Sequence, residues 1–383
     1  MKKIVFVLIV LFWCHGSLFS VENYLLKGKI GNSDIYMSVN DYSSGNVDDD
    51  ETLDALYFYV SSLKDIVMRG NREGGKYVLY VNKSENGYDE KFVLSKNAAG
   101  EFKGTWNSAN GKRLSVSLVP TSVQDIDHHP YGQLDFIKNL KQEDAFNYIR
   151  SGLISFVGDS VADYKGKSFV WFKESHCNAP FFRLGNGFST ETLQAVNPKL
   201  DEIHLYNAIS QLSCSAQWYY NEGNSIEYTI RIEYLTDNLL GFSVFSSWFC
   251  GGAHPDFGEV GYLLDLNNGK EYEIDEVLAF DQSVTTESQG GFSAFSEYRS
   301  NYFGPGVFKL VNQIEKFEKP DPEEDDCDYT ELEYWDFPSW HFTEEGIVFT
   351  PIFYRAARNC ETGFLVPFSD LRKYKRAGFP YDF

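Results

Sequence analysis

The sequence lacks the positive charge that binding to nucleic acid requires. Its 383 residues include 34 lysines and arginines against 55 aspartates and glutamates, a formal net charge of −21 at pH 7. Proteins that bind nucleic acid or anionic membranes carry a basic surface. The composition therefore argues against both classes of partner. It is compatible with a cationic protein partner, or simply with high solubility.

Long hydrophobic runs are also missing. The longest lies at residues 4–13, after Lys2 and Lys3 and before the small residues at 17–20. It is shorter than the stretch of about 20 apolar residues that spans a bilayer. This order is typical of a secretory signal peptide over residues 1–20, so we expect a periplasmic or secreted protein without a membrane span. Lipidation at Cys14 is an alternative, although the bulky Trp13 stands where a lipoprotein signal has a small residue.

Cysteine is scarce, and its spacing argues against a zinc site. Apart from Cys14, the sequence contains no Cys-x-x-Cys pair among its cysteines, which are Cys177, Cys214, Cys250, Cys327 and Cys360. In an oxidising compartment five cysteines predict two disulfides and one remaining thiol. Connectivity does not follow from sequence. The pairs Cys214–Cys250 and Cys327–Cys360 are a first guess.

Familiar catalytic and metal-binding motifs are absent as well. There is no Gly-x-Ser-x-Gly turn for a nucleophile and no glycine-rich phosphate loop. Asp125, Asp127, His128 and His129 have the chemistry of metal ligands. However, adjacent histidines point in different directions on most backbones, and this run lies in a predicted linker. We therefore expect neither a metal nor a cofactor.

Aromatic residues, at 17%, are abundant, and with frequent glycine they favour strands. Residues 21–120 contain short apolar segments spaced by about 8–12 residues and separated by Gly, Asn, Asp and Ser, the pattern of a small all-β barrel or meander. Asn86-Gly87 and Asn110-Gly111 are its strongest turn signals. Residues 121–165 are predicted to be a linker with a possible helix at 136–149.

Residues 166–383 predict a second, α+β domain with an antiparallel sheet and a few helices. Strict alternation of apolar and polar residues at 226–234 predicts a half-buried strand, paired with residues 241–249. A hairpin is expected at 262–274. A helix is expected at 190–197, and residues 203–213 either extend it or form a second helix. A further helical region is expected around a Gly-Pro-Gly break within 295–317, and strands at 340–343 and 347–353.

Four motifs of this domain resemble a known family. They are Gly251-Gly252-Ala253-His254-Pro255, Tyr262-Leu263-Leu264-Asp265-Leu266 with Gly269-Lys270, Glu345-Gly346-Ile347-Val348-Phe349, and Val366-Pro367-Phe368-Ser369-Asp370-Leu371. In this order they resemble the extracellular domain shared by the lysozyme-sensing anti-sigma factor RsiV and the peptidoglycan deacetylase PdaC. The sequence shows no sigma-binding segment and no deacetylase motif. The resemblance therefore implies an envelope-binding role, with a lysozyme-like protein or peptidoglycan as partner.

The N-terminal half carries a less specific resemblance. Gly28-Lys29-Ile30-Gly31 and Gly104-Thr105-Trp106 are similar to a small all-β module found in exported bacterial proteins. That module implies no chemistry. We expect Gly28, Gly31 and Gly104 to occupy turns and bulges.

The double-glycine loop offers the first candidate site. His254 and Asp256 are suited to general acid–base chemistry in an envelope hydrolase. In the alternative interpretation His254 only bonds to the backbone, and the loop is architectural. The residues that would then shape it and the hairpin after it are Gly251, Gly252, Ala253, Pro255 and Asp265.

Aromatic residues beside an acidic run form the second candidate site. Trp335 and Trp340 follow the acids within 321–326, and exposed aromatics there would suit a cationic protein or a sugar polymer. Packing inside the final hairpin is the alternative. Together these features predict a non-enzymatic binding protein of the cell envelope. A hydrolase using His254 and Asp256, and a purely structural module, are the competing hypotheses.

Overall fold

A computed structural model of the chain describes residues 21–42, 51–214, 225–251, 254–283, 287–321 and 327–383. The predicted signal segment with Cys14, the loop residues Gly252 and Ala253, and the acids at 323–326 lie outside the described residues. The chain divides into two compact units. They are Met1–Ser62 with Ile66–Asp125, and Leu63–Asp65 with Ile126–Phe383.

The first unit is a closed antiparallel barrel of eight strands, in which each strand pairs with the next and the last pairs with the first. The strands are β1 Glu22–Ile30, β2 Ser33–Asp41, β3 Leu53–Tyr59, β4 Ile66–Glu73, β5 Lys76–Val81, β6 Glu90–Lys96, β7 Phe102–Ser108 and β8 Arg113–Pro120. Alternate residues such as Ile35, Met37 and Val39 fill its interior. The period-2 pattern of the sequence is thus the inside–outside alternation of a barrel wall.

Glycines allow neighbouring strands of this barrel to approach closely. A Cβ at Gly28 would overlap the carbonyl oxygen of Ser117, and one at Gly104 would overlap that of Val93. Gly31, by contrast, occupies the turn between β1 and β2 with a φ of 58°. Two of the three glycines therefore serve close backbone approach within strands, and only Gly31 serves a turn.

The second unit contains three antiparallel sheets among its described residues, ordered β11-β10-β9, β12-β13-β14 and β15-β16-β17. Their strands are β9 Phe156–Tyr164, β10 Lys167–Glu174, β11 Pro180–Leu184, β12 Ser225–Leu235, β13 Leu239–Phe249, β14 Asp256–Asp265, β15 Ser339–Phe342, β16 Gly346–Thr350 and β17 Phe364–Pro367. The helices are α1 Asp135–Glu143, α2 Ala145–Ser151, α3 Thr190–Cys214, α4 Ile274–Val277, α5 Glu287–Tyr298, α6 Gly304–Glu315 and α7 Phe368–Leu371. The chain as a whole is therefore mixed α+β. No helix in the described ranges is long and apolar enough to cross a membrane.

The sheet β12-β13-β14 separates two hydrophobic cores. One face packs through Phe242 and Leu264 against α3 and β11. The other packs through Leu239 and Leu263 against α6 and the sheet β15-β16-β17. The central strand β13 is buried continuously over its first six residues, because both of its faces are covered.

Helix α3 is continuous, so residues 203–213 extend the helix expected at 190–197 rather than forming a second one. Its first turn is capped by Ser189, whose hydroxyl accepts the Thr192 N–H at 3.1 Å. His204 on this helix is completely buried, and its Nε2 lies 2.8 Å from the Ala179 carbonyl oxygen. Burial, aided by the charge of Arg183, lowers the pKa of His204 to about 3. The imidazole is therefore a neutral core group.

Both disulfides join the cysteines paired in our first guess. Cys214 at the end of α3 bonds to Cys250 after β13, and Cys327 bonds to Cys360. Cys177 is a free, buried cysteine. Burial raises the pKa of its thiol to about 12, so it stays protonated and unreactive at neutral pH.

The segment 121–165 is not a plain linker. From Ile126 it belongs to the second unit and supplies α1, α2 and β9. The helix expected at 136–149 is two helices, because Asp144 leaves the helical conformation with a φ of −142°. Its carboxylate then accepts the Asn147 N–H at 3.0 Å and caps α2.

Two further expectations need correction. The hairpin expected at 262–274 has only its first strand, β14; its return side is a single bridge at Glu271, and Ile274 already begins α4. The Gly-Pro-Gly sequence does not break the helix around it either. A π-helical turn, Arg299–Phe303, leads from α5 directly into α6, and Pro305 lies in the first turn of α6, where a missing N–H is tolerated.

Asp265 holds the turn after β14. Its buried carboxylate accepts hydrogen bonds from Asn267 N (2.8 Å), Asn268 Nδ2 (3.0 Å) and the hydroxyls of Tyr272 (3.3 Å) and Tyr381 (2.6 Å). One carboxylate thereby joins the turn to the C-terminal segment.

We expect Asp265→Ala to lower the free energy of unfolding by about 2–4 kcal/mol, because the buried Tyr272 hydroxyl and three part-buried donors lose their charged acceptor. Asp237→Ala is the matched control, since Asp237 is an exposed acid in the neighbouring turn. It should change stability by less than about 0.5 kcal/mol. Urea unfolding followed by tryptophan fluorescence measures both, and equal effects would contradict the role given to Asp265.

Candidate functional site

The double-glycine loop is held by two arginines. The His254 carbonyl oxygen accepts a hydrogen bond from Arg355 at 2.9 Å, while its side chain is exposed. Asp256 pairs with Arg358 at 2.7 Å and accepts the N–H of Phe257 at 2.9 Å. Within the described part of the chain the His254 imidazole makes no hydrogen bond. His254 and Asp256 therefore do not form a general-base pair, and it is the His254 carbonyl, not its ring, that anchors the loop.

The two candidate tryptophans differ in how deeply they are buried. Trp335 is completely buried, and its indole N–H donates to the Tyr329 carbonyl at 2.9 Å. The expectation that Trp335 contacts a partner is therefore wrong, because the core formed with α6 covers it. Trp340 is half-buried and packs edge-on against Phe342, with ring centroids 6.1 Å apart. Its backbone has a separate role described below.

The run at 125–129 does not gather around an ion. The Asp125 carboxylate accepts the Ser122 N–H at 2.9 Å and lies in the first unit. His129 belongs to the second unit, where its Nε2 lies 3.0 Å from the Ser151 hydroxyl and 3.1 Å from the Tyr148 carbonyl oxygen. Both groups are thus used in local structure.

A charged cluster that the sequence did not reveal lies between two sheets. Strand β15 places His341 over the face of β12-β13-β14, with Nδ1 3.4 Å from a Glu259 oxygen and Nε2 3.6 Å from a Glu233 oxygen. Ser243, which is completely buried, donates to Glu233 at 3.4 Å. Arg231 pairs with Glu259 at 3.2 Å. We call these five residues the His341 cluster.

Close contact between two strands brings this cluster together. A Cβ at Gly261 on β14 would overlap the carbonyl oxygen of Trp340 on β15, so only glycine permits this approach. Ser243 pairs directly with Gly261 in the sheet, and Glu259 lies two residues before Gly261 on the same face. A β-bulge between Ile232 and Tyr234 places Glu233 beside them. Alternation in β12 indicates which residues share its face, but no sequence signal links them to His341.

The His341 cluster brings two acids close to a histidine and an arginine. Burial of Glu259 favours its neutral form, but the contacts and charges of His341, Ser243 and Arg231 together outweigh burial and lower the pKa of this carboxyl. Ser243 donates to the Glu233 carboxylate, and among the described residues no hydrogen bond joins it to His341. The carboxylates of Glu233 and Glu259 lie on opposite ring nitrogens. Among the residues described, no three His, Cys, Asp or Glu side chains form a metal-binding group.

Glu233 also lines a shallow groove of about 430 Å³, which we call the acidic groove. Its lining combines acidic and apolar side chains; the lining residues are Tyr164, Ile232, Glu233, Thr343, Glu344, Glu345, Val348 and Leu365. Glu344 accepts hydrogen bonds from the Tyr164 hydroxyl (2.7 Å) and the Leu235 N–H (3.2 Å) and pairs with Lys165. These bonds outweigh partial burial and lower the pKa of Glu344. Glu345, in the turn between β15 and β16, is exposed.

Comparison with known proteins gives structural neighbours only. No protein-family model matches the sequence, and no curated protein matches it. The structure is similar to a DUF3298 family member from Bacteroides fragilis NCTC 9343, with 12% identity and a TM-score of 0.34 over 59% of this chain and 94% of that one. It is also similar to a DUF3298 family protein from Pseudomonas aeruginosa PAO1, with 13% identity and a TM-score of 0.31 over the same shares. Similarity at this level carries no inference about activity or partner.

Replacing Gly261 by alanine should push β15 away from β14 and disturb the His341 cluster. We expect a loss of about 1–3 kcal/mol in unfolding free energy, the usual cost of overpacking. The control is Gly258→Ala on the same strand, because a Cβ there meets only the Trp248 ring, at an ordinary 3.6 Å. Thermal unfolding with both variants is the measurement. Equal midpoints would show that the two strands are not in tight contact at Gly261.

Proposed function

We propose that this chain is an exported protein of the cell envelope that binds a cationic protein through the acidic groove. The observation that carries the proposal is the composition of that groove. Glu233 and Glu345 line it together with the apolar side chains of Val348 and Leu365. Apolar contact area with a rim of one charge is how proteins recognise oppositely charged partners.

Export is supported by two independent features. Residues 1–20 have the pattern of a signal peptide, and disulfides persist mainly in oxidising compartments. The disulfides Cys214–Cys250 and Cys327–Cys360 fit such a compartment. A periplasmic or secreted protein, released from its signal rather than lipidated at Cys14, is the localisation that we propose.

The charge of the chain favours a cationic protein over other envelope targets. A net charge of −21 accelerates encounter with a positively charged partner and repels polyanions. Among envelope proteins, a lysozyme-like protein combines positive charge with the partner implied by the resemblance to RsiV and PdaC. Peptidoglycan carries carboxylates of its own and fits an acidic groove less well.

The hydrolase hypothesis lacks comparable support. It needs His254 to bond an acid, yet Asp256 is occupied by Arg358 at 2.7 Å. A base that is exposed and not oriented by a third group gains little catalytic power. Binding without turnover is the simpler function for the groove.

We expect calorimetry at low ionic strength to detect binding of a c-type lysozyme to the mature chain. The double variant Glu233→Gln/Glu345→Gln should weaken it about 2- to 30-fold, because two partly exposed ion pairs contribute about 0.2–1 kcal/mol each. Glu315→Gln/Glu318→Gln is the control, since it removes the same charge at exposed positions that do not line the groove. The control should lie within about twofold of wild type.

Three outcomes would overturn the proposal. They are absence of heat with lysozyme, equal weakening by the groove and control variants, and sedimentation of the chain with peptidoglycan sacculi but not with lysozyme. The first would favour a structural module. Thermal unfolding of each variant verifies that the fold is kept.

A further inference from the structure

Strand β9 is an exposed edge of the sheet β11-β10-β9. Every side chain from 157 to 163 is exposed, and Val157 and Val161 are 54% and 64% accessible. Only the end residues of this nine-residue strand pack, Phe156 on the His204 ring and Tyr164 against the core around Phe242, so its seven middle residues are held mainly by backbone pairing with β10. Such a strand contributes little to the stability of the fold, so its length and exposure need another explanation.

The register shows which backbone groups of β9 face outward. Ser168 on β10 donates to Asn186 and accepts from Gly185, so even-numbered residues of β10 bond toward β11 and odd-numbered residues toward β9. Phe169 pairs with Ala162, and Lys167 with Tyr164. The N–H and C=O groups of Ala162 and Tyr164 therefore face β10.

The backbone groups of the alternate residues, Val161 and Asp163, face away from β10. The N–H and C=O of Val161 and Asp163 point away from β10, and in the described ranges no backbone group bonds to them. Natural edges are usually protected by proline, lysine or a covering segment. β9 contains neither proline nor lysine; its protection is limited to one bulge beside Asp159. It is an edge on which another strand can pair.

The charges near β9 indicate which kind of strand would pair with it. Asp159 is neutralised by Lys173 at 2.8 Å, whereas Asp163 has no ion pair among the described residues. β9 ends at Tyr164, which lines the acidic groove together with Glu344 and Glu345. The edge thus leads to the acidic groove, in which Glu344 is paired with Lys165 and Glu345 has no ion pair among the described residues. A second copy of this chain fits poorly, because it would bring the same acids and a further net charge of −21.

We propose that β9 binds an extended, lysine- or arginine-bearing segment of the partner by strand addition, with the end of that segment continuing into the acidic groove. This inference rests on the proposed function, because it names how the cationic partner is held. Backbone bonds to Val161 and Asp163 supply the pairing. An apolar residue opposite Val161 and a basic residue opposite Asp163 supply selectivity.

The probe is an acetylated and amidated peptide of about nine residues, in which lysine and valine alternate with threonine. On wild-type protein we expect this peptide to slow hydrogen exchange at the amides of Val161 and Asp163. The amide of Ala162 already bonds to β10, so its exchange should change little and serves as an internal reference. A peptide with glutamate in place of lysine should give no protection.

A pair of variants at one position tests the backbone contact. Val161→Pro removes the outward N–H, and proline is tolerated on edge strands at such positions. It should weaken peptide binding about tenfold, and lysozyme binding in the same direction. Val161→Thr keeps both the amide and the β-branch and should stay within about twofold of wild type. Retained protection at Ala162 verifies that the β9–β10 hairpin is intact in both.

The outcomes separate this inference from the proposed function. If lysozyme binding depends on Glu233 and Glu345 but not on the outward amide of Val161, the groove stands and strand addition is wrong. If the peptide protects Val161 and Asp163 while lysozyme does not bind, the edge stands and the proposed partner is wrong. Self-association that Val161→Pro abolishes would assign the edge to a second copy and overturn the inference. Absence of any protection would also overturn it.

Discussion

The close contact between β14 and β15 at Gly261 determines how the sheets of the second unit pack. Two backbones meet there with no side chain between them, because a Cβ at Gly261 would overlap the Trp340 carbonyl. That approach stacks the sheet β15-β16-β17 on β12-β13-β14 and closes the core around Phe342 and Leu263. The same contact places His341 between Glu233 and Glu259. Packing and charge are thus set at one point.

The acids of this protein fall into two groups with different consequences. Glu259, Asp256 and Asp265 are fully engaged by partners inside the fold, so their charges stabilise structure. Glu345 and Asp163 are exposed and have no ion pair among the described residues, so their charges remain available to a partner. Buried charge must be paired to be tolerated, whereas exposed charge costs little and steers association. This division is why we propose the groove and the edge of β9 as the binding surfaces.

Much of the architecture follows from local patterns. The alternation at 226–234 predicts β12, and the regular strand spacing in residues 21–120 predicts a small barrel or meander, which the structure shows to be a closed barrel. Such features are readable because side-chain alternation depends only on the geometry of one strand. Predictions failed where a single residue overrode a pattern. Asp144 caps and divides a helix, and Pro305 begins α6 instead of ending a helix. The sequence left Trp335 open between partner contact and core packing, because its burial depends on the contact with α6.

Composition and spacing alone establish that this chain is acidic, rich in strands and supplied with enough cysteines for two disulfides. These properties are sums or local periodicities, so they need no knowledge of which segments meet. The neighbours of His341, the shape of the acidic groove and the open edge of β9 were decided only when the sheets stacked. Each depends on contacts between distant segments, and sheet stacking at a glycine leaves no periodic signal in the residues that it brings together.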